Sequence, residues 1–308
     1  MNQRIPVITQ KQVASFLPKR PRDSHKGLFG TVVVIGGTTG MTGAPLLAGR
    51  AALKMGAGCV HVGLLAENAP GADMVQPELM LHTAQEIFSP PFAMSLMEPP
   101  AIRLSPQAGK SLVMSKGNPV LAIGCGMGKS HAAYKLLYEA LQSGHPLVLD
   151  ADALNLLASH PDLQDDLRAR KHSAVLTPHP GEAAGLLACS VKEMQADRVA
   201  AVQRLSQKFN CSVVLKGADS LCATTDRKLF VNKTGNPGMS SAGMGDVLTG
   251  MIAAFIAQGL STDNAMLLAV HLHGAAGDAL AQQGITIGMT ATEVTEWARW
   301  LLNQWVRN

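Results

Sequence analysis

Aromatic side chains are scarce in this 308-residue sequence, at 4% of the residues, although 47% are hydrophobic. That apolar fraction is mainly aliphatic, and the abundance of Ala, Gly, Leu and Val is the composition of α/β layering, which suits one large domain over residues 1–308 better than two. Charge is sparse as well. The formal net charge is +4, and the basic residues are scattered apart from a short cluster, Lys19, Arg20 and Arg22. That distribution excludes a nucleic-acid-binding stripe. The five cysteines, Cys59, Cys125, Cys189, Cys211 and Cys222, show neither a CxxC pair nor a regular spacing. An odd number of thiols inside mostly apolar segments reads as reduced core cysteines of a cytoplasmic protein. Met1-Asn2-Gln3-Arg4-Ile5-Pro6 contains no apolar h-region, and the most apolar segment, 247–259, is too short to cross a bilayer. Neither export nor a membrane span is expected, and repeats and low-complexity tracts are missing too.

What the chain has is an alternation of short apolar runs and helical patterns. Val13, Phe16 and Leu17 among polar residues predict a helix over 8–17 that stops at Pro18. Thr31-Val32-Val33-Val34-Ile35 is a run of β-prone residues without polar alternation, as in a parallel strand buried on both faces. A glycine-rich loop, 36–43, and a helix of small residues, 44–55, follow it. Strand, loop and helix together form a nucleotide-type unit, or else a tight turn that only needs glycine. Further strands are expected at 60–65, 119–123, 146–150, 174–177 and 212–216, with helical segments between them, whereas 66–117 reads as irregular. The expected fold is an α/β three-layer sandwich, a mostly parallel central sheet with helices on both faces.

In such a sheet ligands sit beyond the carboxyl ends of the strands. Gly124-Cys125-Gly126-Met127-Gly128-Lys129-Ser130 resembles a Walker A loop, but G-x-x-x-x-G-K-[ST] needs Gly at position 123, where Ile123 stands. The sheet rule gathers Asp150, Asp152 and Asn155 with Thr177, His179 and Glu182 and with Lys216-Gly217-Ala218-Asp219-Ser220. Each group has two readings. Asp150 to Asn155 is functional or caps a helix; His179 and Glu182 serve a ligand or cap the turn and the helix after it. Lys216-Gly217 offers a cation and bare amides to a phosphate, or turns a hairpin toward Leu221-Cys222-Ala223. In the run from Asn236 to Gly250, small residues leave amides uncovered at the start of an apolar helix, which makes an anion hole. Asp246 either N-caps that helix or moves a proton during phosphoryl transfer. No metal cage is suggested; the acids suit at most Mg²⁺ held through water and substrate phosphates.

Taken in order, Gly43-Ala44-Pro45 with Ala48-Gly49-Arg50-Ala51-Ala52-Leu53, Asp150-Ala151-Asp152-Ala153-Leu154, Thr177-Pro178-His179-Pro180-Gly181-Glu182, Lys216-Gly217 and Asn236-Pro237-Gly238-Met239 through Gly245-Asp246 form a specific set. This set resembles the ADP-dependent NAD(P)H-hydrate dehydratases of the ribokinase-like superfamily, from about His25 to the C-terminus. The resemblance implies dehydration of the S epimer of NADHX or NADPHX in two stages. ADP, or ATP as the alternative donor, phosphorylates the hydroxyl of the hydrated nicotinamide ring with Mg²⁺ as cofactor; loss of phosphate then restores the double bond, and ADP leaves as AMP. By the same comparison the nucleotide lies along Lys216, Gly217, Ala218, Asp219 and Ser220 with its phosphates at Gly245. Ala44, Gly126, His179 and Asp246 line the hydrate pocket, Asp246 is the base, and the amides of Gly243 to Gly245 form the anion hole. The resemblance also implies cytoplasmic metabolite repair by a homo-oligomer such as a tetramer. The epimerase domain often fused to the family's N-terminus has no room here, so a separate NAD(P)HX epimerase is the expected functional partner. A hydroxymethylpyrimidine-type kinase of the same fold competes, but related vitamin kinases carry Asn where His179 stands. A nucleotide-binding sensor without chemistry is a third reading, and Asp246 argues against it.

Overall fold

The structure, a computed structural model, describes residues 5–17, 20–89, 92 and 119–307. Pro18, Lys19 and much of the 66–117 stretch lie outside the described residues. In chain order the elements begin with α1 (Gln10–Ala14), β1 (Thr31–Gly36), α2 (Gly43–Lys54), β2 (Cys59–Leu64), β3 (Met80–Thr83) and α3 (Ala84–Ile87). The middle of the chain gives β4 (Val120–Ile123), α4 (His131–Gln142), β5 (Leu147–Leu149), α5 (Ala151–Ser159), α6 (Pro161–Ala169), β6 (Ala174–Leu176), α7 (Pro180–Leu186), α8 (Val191–Ala196), α9 (Arg198–Phe209) and β7 (Ser212–Leu215). After it come β8 (Leu221–Ala223), β9 (Leu229–Val231), α10 (Met244–Ala257), α11 (Thr262–Gln282) and α12 (Ala291–Arg307).

The strands form one nine-stranded sheet in the order β3-β2-β1-β4-β5-β6-β7-β8-β9. Pairing is parallel from β3 to β7 and antiparallel for β7-β8 and β8-β9. The parallel part is what unbroken apolar runs require, because each strand buries both faces. Period-two alternation then sorts side chains between two cores. Val32, Val34, Val120, Ala122, Val148, Val175 and Val214 face one core with α2, α10, α11 and α12. Val33, Ile35, Leu121, Ile123, Leu147, Leu149, Leu176 and Leu215 face the other with α4 to α9. The sandwich is therefore three-layered, as the sequence implies. Two elements in the stretch read as irregular, β3 and α3, are regular: α3 is a single turn with a Thr83–Glu86 capping box, and β3 alternates too little apolar surface to be seen.

Strand order reverses between β1 and β4, so the loops after these two strands leave a crevice at the sheet's carboxyl edge. The loops are tied backbone to backbone. Gly37 N donates to Cys125 O at 3.0 Å and Thr38 N to Gly126 O at 2.8 Å. A Cβ on Gly36 would come within 2.1 Å of Cys125 O, so this glycine serves the close approach of two loops. The other close approach joins α2 to α10. A side chain at Gly250 would meet Ala48 O at 2.0 Å. α10 is buried along nearly all of its length, so it acts as a fixed mount for the loop in front of it.

Candidate active site

At the carboxyl edge the ends of β5, β6 and β7 and the start of α10 converge on one partly buried cation. Lys216, directly after β7, extends its ammonium to Asp150 Oδ1 at 2.7 Å, directly after β5. Asp150 is only 1% exposed and is fully engaged. Its Oδ1 also accepts from Ala151 N at 2.9 Å, and its Oδ2 accepts from Thr249 Oγ1 in α10 at 2.8 Å. Asp150 is thus the side-chain N-cap of α5, which meets the capping reading of the sequence. Burial works against the Lys216 ammonium, but Asp150 and Glu182 outweigh it and hold its pKa above the ordinary value. The ammonium points at α10: a Cβ built on Gly245 would lie 3.2 Å from Lys216 Nζ.

α10 begins at Met244 with Gly243, at φ 88°, as N-cap, and no side chain caps it. Its first amides have no intrahelical acceptor, and the helix dipole adds to their positive field. Asp246 lies in the first turn. The N-cap reading of Asp246 is therefore corrected: Gly243 holds that position because only glycine readily takes the left-handed conformation there. Burial raises the Asp246 pKa first; a hydrogen bond from the Cys125 thiol opposes that rise, and nearby Asp150 adds to it. The same surroundings push the Cys125 thiol well up. Met244 is buried in the core, so its side chain does not crowd the amides.

Across the crevice, His179 N-caps α7 and forms a full capping box with Glu182. Its Nδ1 accepts from Gly181 N at 2.9 Å and Glu182 N at 3.2 Å, while Glu182 Oε2 accepts from His179 N at 2.7 Å. Two donors on Nδ1 place the ring proton on Nε2, which lies 3.3 Å from Glu182 Oε1. The His179 ring is 56% exposed and Glu182 only 5%. Burial, then Lys216, lower the His179 pKa, so the imidazole is neutral near pH 7. Burial raises Glu182 to about 7 against the pull of Lys216. The capping reading of both residues is met, and more than half of the His179 side chain stays exposed.

Of the residues expected to line one pocket, Gly126 and Ala44 are brought together: a Cβ on Gly126 would be 3.2 Å from Ala44 Cβ and 2.8 Å from Met41 O. Loop 216–220 is a hairpin turn into β8, as one reading held, with Gly217, Ala218 and Asp219 exposed. Its Lys216 N donates to Pro178 O at 2.9 Å, which joins the His179 turn to this loop. Three other residues make hydrogen bonds within the fold. Thr177 Oγ1 donates to Leu149 O at 3.2 Å, Asp152 Oδ2 accepts from Gly128 N at 2.8 Å, and Asn155 Nδ2 only reaches Asp152 Oδ1 at 3.5 Å. Sequence reasoning gave no role to Thr249, Cys125 or His273. The last, in α11, sits near Lys216 with its Nε2 buried and unpartnered among the described residues, and burial lowers its pKa to about 4. Cys125 and Thr249 lie inside runs the sequence marks, 124–130 and 236–250, but no spacing there singles out their side chains, apart from Thr249 standing about one helical turn past Asp246; His273 lies in no motif.

The sequence model of the NAD(P)H-hydrate dehydratase family matches residues 32–299. The chain is 40% identical over 289 residues to the ADP-dependent (S)-NAD(P)H-hydrate dehydratase of Neisseria meningitidis, covering 92% of this chain and 89% of that one. It is also 40% identical to the bifunctional NAD(P)H-hydrate repair enzyme of Coxiella burnetii, spanning 95% of this chain but only 54% of that one. Among solved structures it resembles the ADP/ATP-dependent NAD(P)H-hydrate dehydratase of Bacillus subtilis co-crystallised with ATP and Mg²⁺, with a TM-score of 0.78, 26% identity, and coverage of 98% and 99% of the two chains.

Proposed function

Since the chain belongs to the NAD(P)H-hydrate dehydratase family, we propose that it dehydrates the S epimer of NADHX or NADPHX at the expense of ADP, leaving NAD(P)H, AMP and phosphate. The observation that carries this reading is the 40% identity with the Neisseria enzyme over nearly the whole length of both chains. The site is consistent with it in chemistry. In the first stage the ring hydroxyl attacks the β-phosphorus of ADP, and the bond to the AMP oxygen breaks with its electrons leaving on AMP. Asp246 takes the hydroxyl proton, and burial, which raises its pKa, makes it a better base than a solvated carboxylate. The amides of Gly243 to Gly245 and the Lys216 ammonium hold the charge on the transferred phosphoryl group. In the second stage phosphate leaves with the electrons of the carbon–oxygen bond, and the neighbouring ring carbon gives up a proton to restore the double bond.

In this reading Lys216, Gly217, Ala218, Asp219, Ser220 and Gly245 hold the nucleotide, while Ala44, Gly126, His179 and Asp246 hold the hydrate. Among the described residues no group of three or more His, Cys, Asp or Glu could hold a metal ion. Mg²⁺ fits only as an ion carried by the nucleotide phosphates, where it would neutralise phosphate charge. A single domain, a cytoplasmic setting, a homo-oligomer such as a tetramer, and an NAD(P)HX epimerase as functional partner complete the reading. The Coxiella relative, a bifunctional repair enzyme of which the match spans 54%, supports the last. Among the described residues no helix is long and apolar enough to cross a membrane. A small-molecule kinase of this fold has only the architecture in its favour. Incubating the protein with NADHX and either ADP or ATP, and following the absorbance of restored dihydronicotinamide, tests the proposal. No absorbance gain with either nucleotide would overturn it.

A further inference from the structure

We propose that Arg198 is a positioning residue for the nucleotide, holding the backbone of loop 216–220 in its binding shape; this rests on the reading that the loop carries the nucleotide. Arg198 is the first residue of α9, in a part of the chain that no motif singles out. Its Nη1 donates to Ala218 O at 2.7 Å. Its Nη2 lies 3.3 Å from where a Cβ would stand on Gly217, so the guanidinium lies against the Gly217-Ala218 backbone. That backbone is unusual. Gly217 has φ 136° and Asp219 has φ 54°, conformations that L residues seldom adopt. Within the hairpin the shape is supported by Ser220 Oγ donating to Gly217 O at 2.9 Å and by an Asp219–Lys233 ion pair whose side chains are both more than half exposed. An exposed pair adds little.

The guanidinium is poorly placed for stability. Arg198 Nε and Nη2 are shut off from solvent without a hydrogen-bond partner among the described residues. Unmet buried donors are costly, and an apolar side chain of similar size in place of such a group is commonly neutral or stabilising. What the arginine supplies is geometry: with the Ala218 carbonyl fixed, the exposed loop is ordered before the nucleotide arrives, and binding loses less in ordering it.

The test compares Arg198→Met, which keeps the apolar stem and removes the donors, with Gly217→Val, which obstructs the loop itself. ADP affinity is read by calorimetry, melting temperature by a thermal scan, and kcat and KM from the NADHX assay. Arg198→Met is expected to bind ADP about ten- to a hundredfold more weakly, the worth of one charge-assisted hydrogen bond, with an unchanged or higher melting temperature. The KM for ADP should rise while kcat at saturation stays close to wild type. Normal ADP affinity in Arg198→Met with weakened affinity in Gly217→Val overturns the role of Arg198 and leaves the loop reading standing. Normal affinity in both overturns the loop reading and this proposal with it. Parallel loss of affinity and melting temperature assigns Arg198 a merely structural role and overturns the proposal. If Arg198→Met does not fold, Arg198→Lys, which retains charge but not the planar fork, replaces it, and wild-type ADP affinity there is equally fatal.

Discussion

In the proposed reaction Asp246 is the base, and its environment suits that role. It sits in the first turn of a helix whose N-cap, Gly243, leaves the leading amides free, beside a thiol and within the field of Asp150 and Lys216. Asp246→Asn keeps the size and the helix but cannot accept the hydroxyl proton. Turnover is expected to fall by about 10²–10⁴-fold, the usual worth of a positioned base, with ADP affinity little changed. Near-normal turnover by the NADHX assay would remove Asp246 from the mechanism. Glu182 gives a second prediction, in stability. Its pKa is about 7 in the folded chain against an ordinary 4.5, so the folded state holds the proton more tightly than the unfolded state. The stability it contributes is complete below about pH 4.5 and is lost as pH rises toward 7. Compared with Glu182→Gln, the wild type should lose about 3 kcal/mol at most across that window, measured by chemical denaturation at several pH values. Parallel pH profiles for the two proteins would mean that Glu182 stays ionised.

The two helices that carry opposite walls of the crevice, α2 with Ala44 and α10 with Asp246, meet at Gly250. The Ala48 carbonyl occupies the place of any side chain there, so Gly250→Ala must push the helices apart or bend one of them. Overpacking of this kind costs about 1–3 kcal/mol. The melting temperature should drop, and kcat should drop with it even though Gly250 touches no substrate, because the anion hole moves relative to the ring pocket. A variant with normal melting temperature and normal kcat would show that the helices can separate without consequence. Helix starts were the hardest boundaries to place from sequence here. The segment after Gly243 reads as a helix from Val247, but the free Gly243 N-cap lets it start at Met244, and this moves Asp246 from the cap into the first turn.

In the whole molecule the proposed site draws on residues 44 to 249, so nucleotide bound there would stabilise the fold as a unit. With ADP at about a hundred times its dissociation constant, the gain is about 2.7 kcal/mol, enough for a clear rise in melting temperature in one cooperative transition. Asp246→Asn should show the same rise, because its defect lies in proton transfer. Two transitions, of which only one responds to ADP, would contradict a single cooperative domain. A wild-type protein with no response at any ADP concentration would contradict nucleotide binding altogether.

What the sequence determined by itself is local in origin. Runs such as Val32-Val33-Val34-Ile35 need cover on both faces, which dictates a parallel sheet with helices on either side. Small residues before an apolar helix dictate free amides, and Pro180 after His179 dictates a turn with Glu182 three residues on. β3 was not legible because its four residues alternate partly exposed side chains with no apolar run to mark them. Beyond its reach lay whatever depends on which strands become neighbours. Asp150 and Lys216 are 66 positions apart and Asp150 and Thr249 are 99 apart, and no spacing rule connects them. They meet because β5, β6 and β7 lie side by side and α10 packs on the sheet over β1, β4 and β5. Packing also withdraws water from Asp246, Glu182 and Lys216, and a pKa shift caused by lost solvation exists only once the chain has folded.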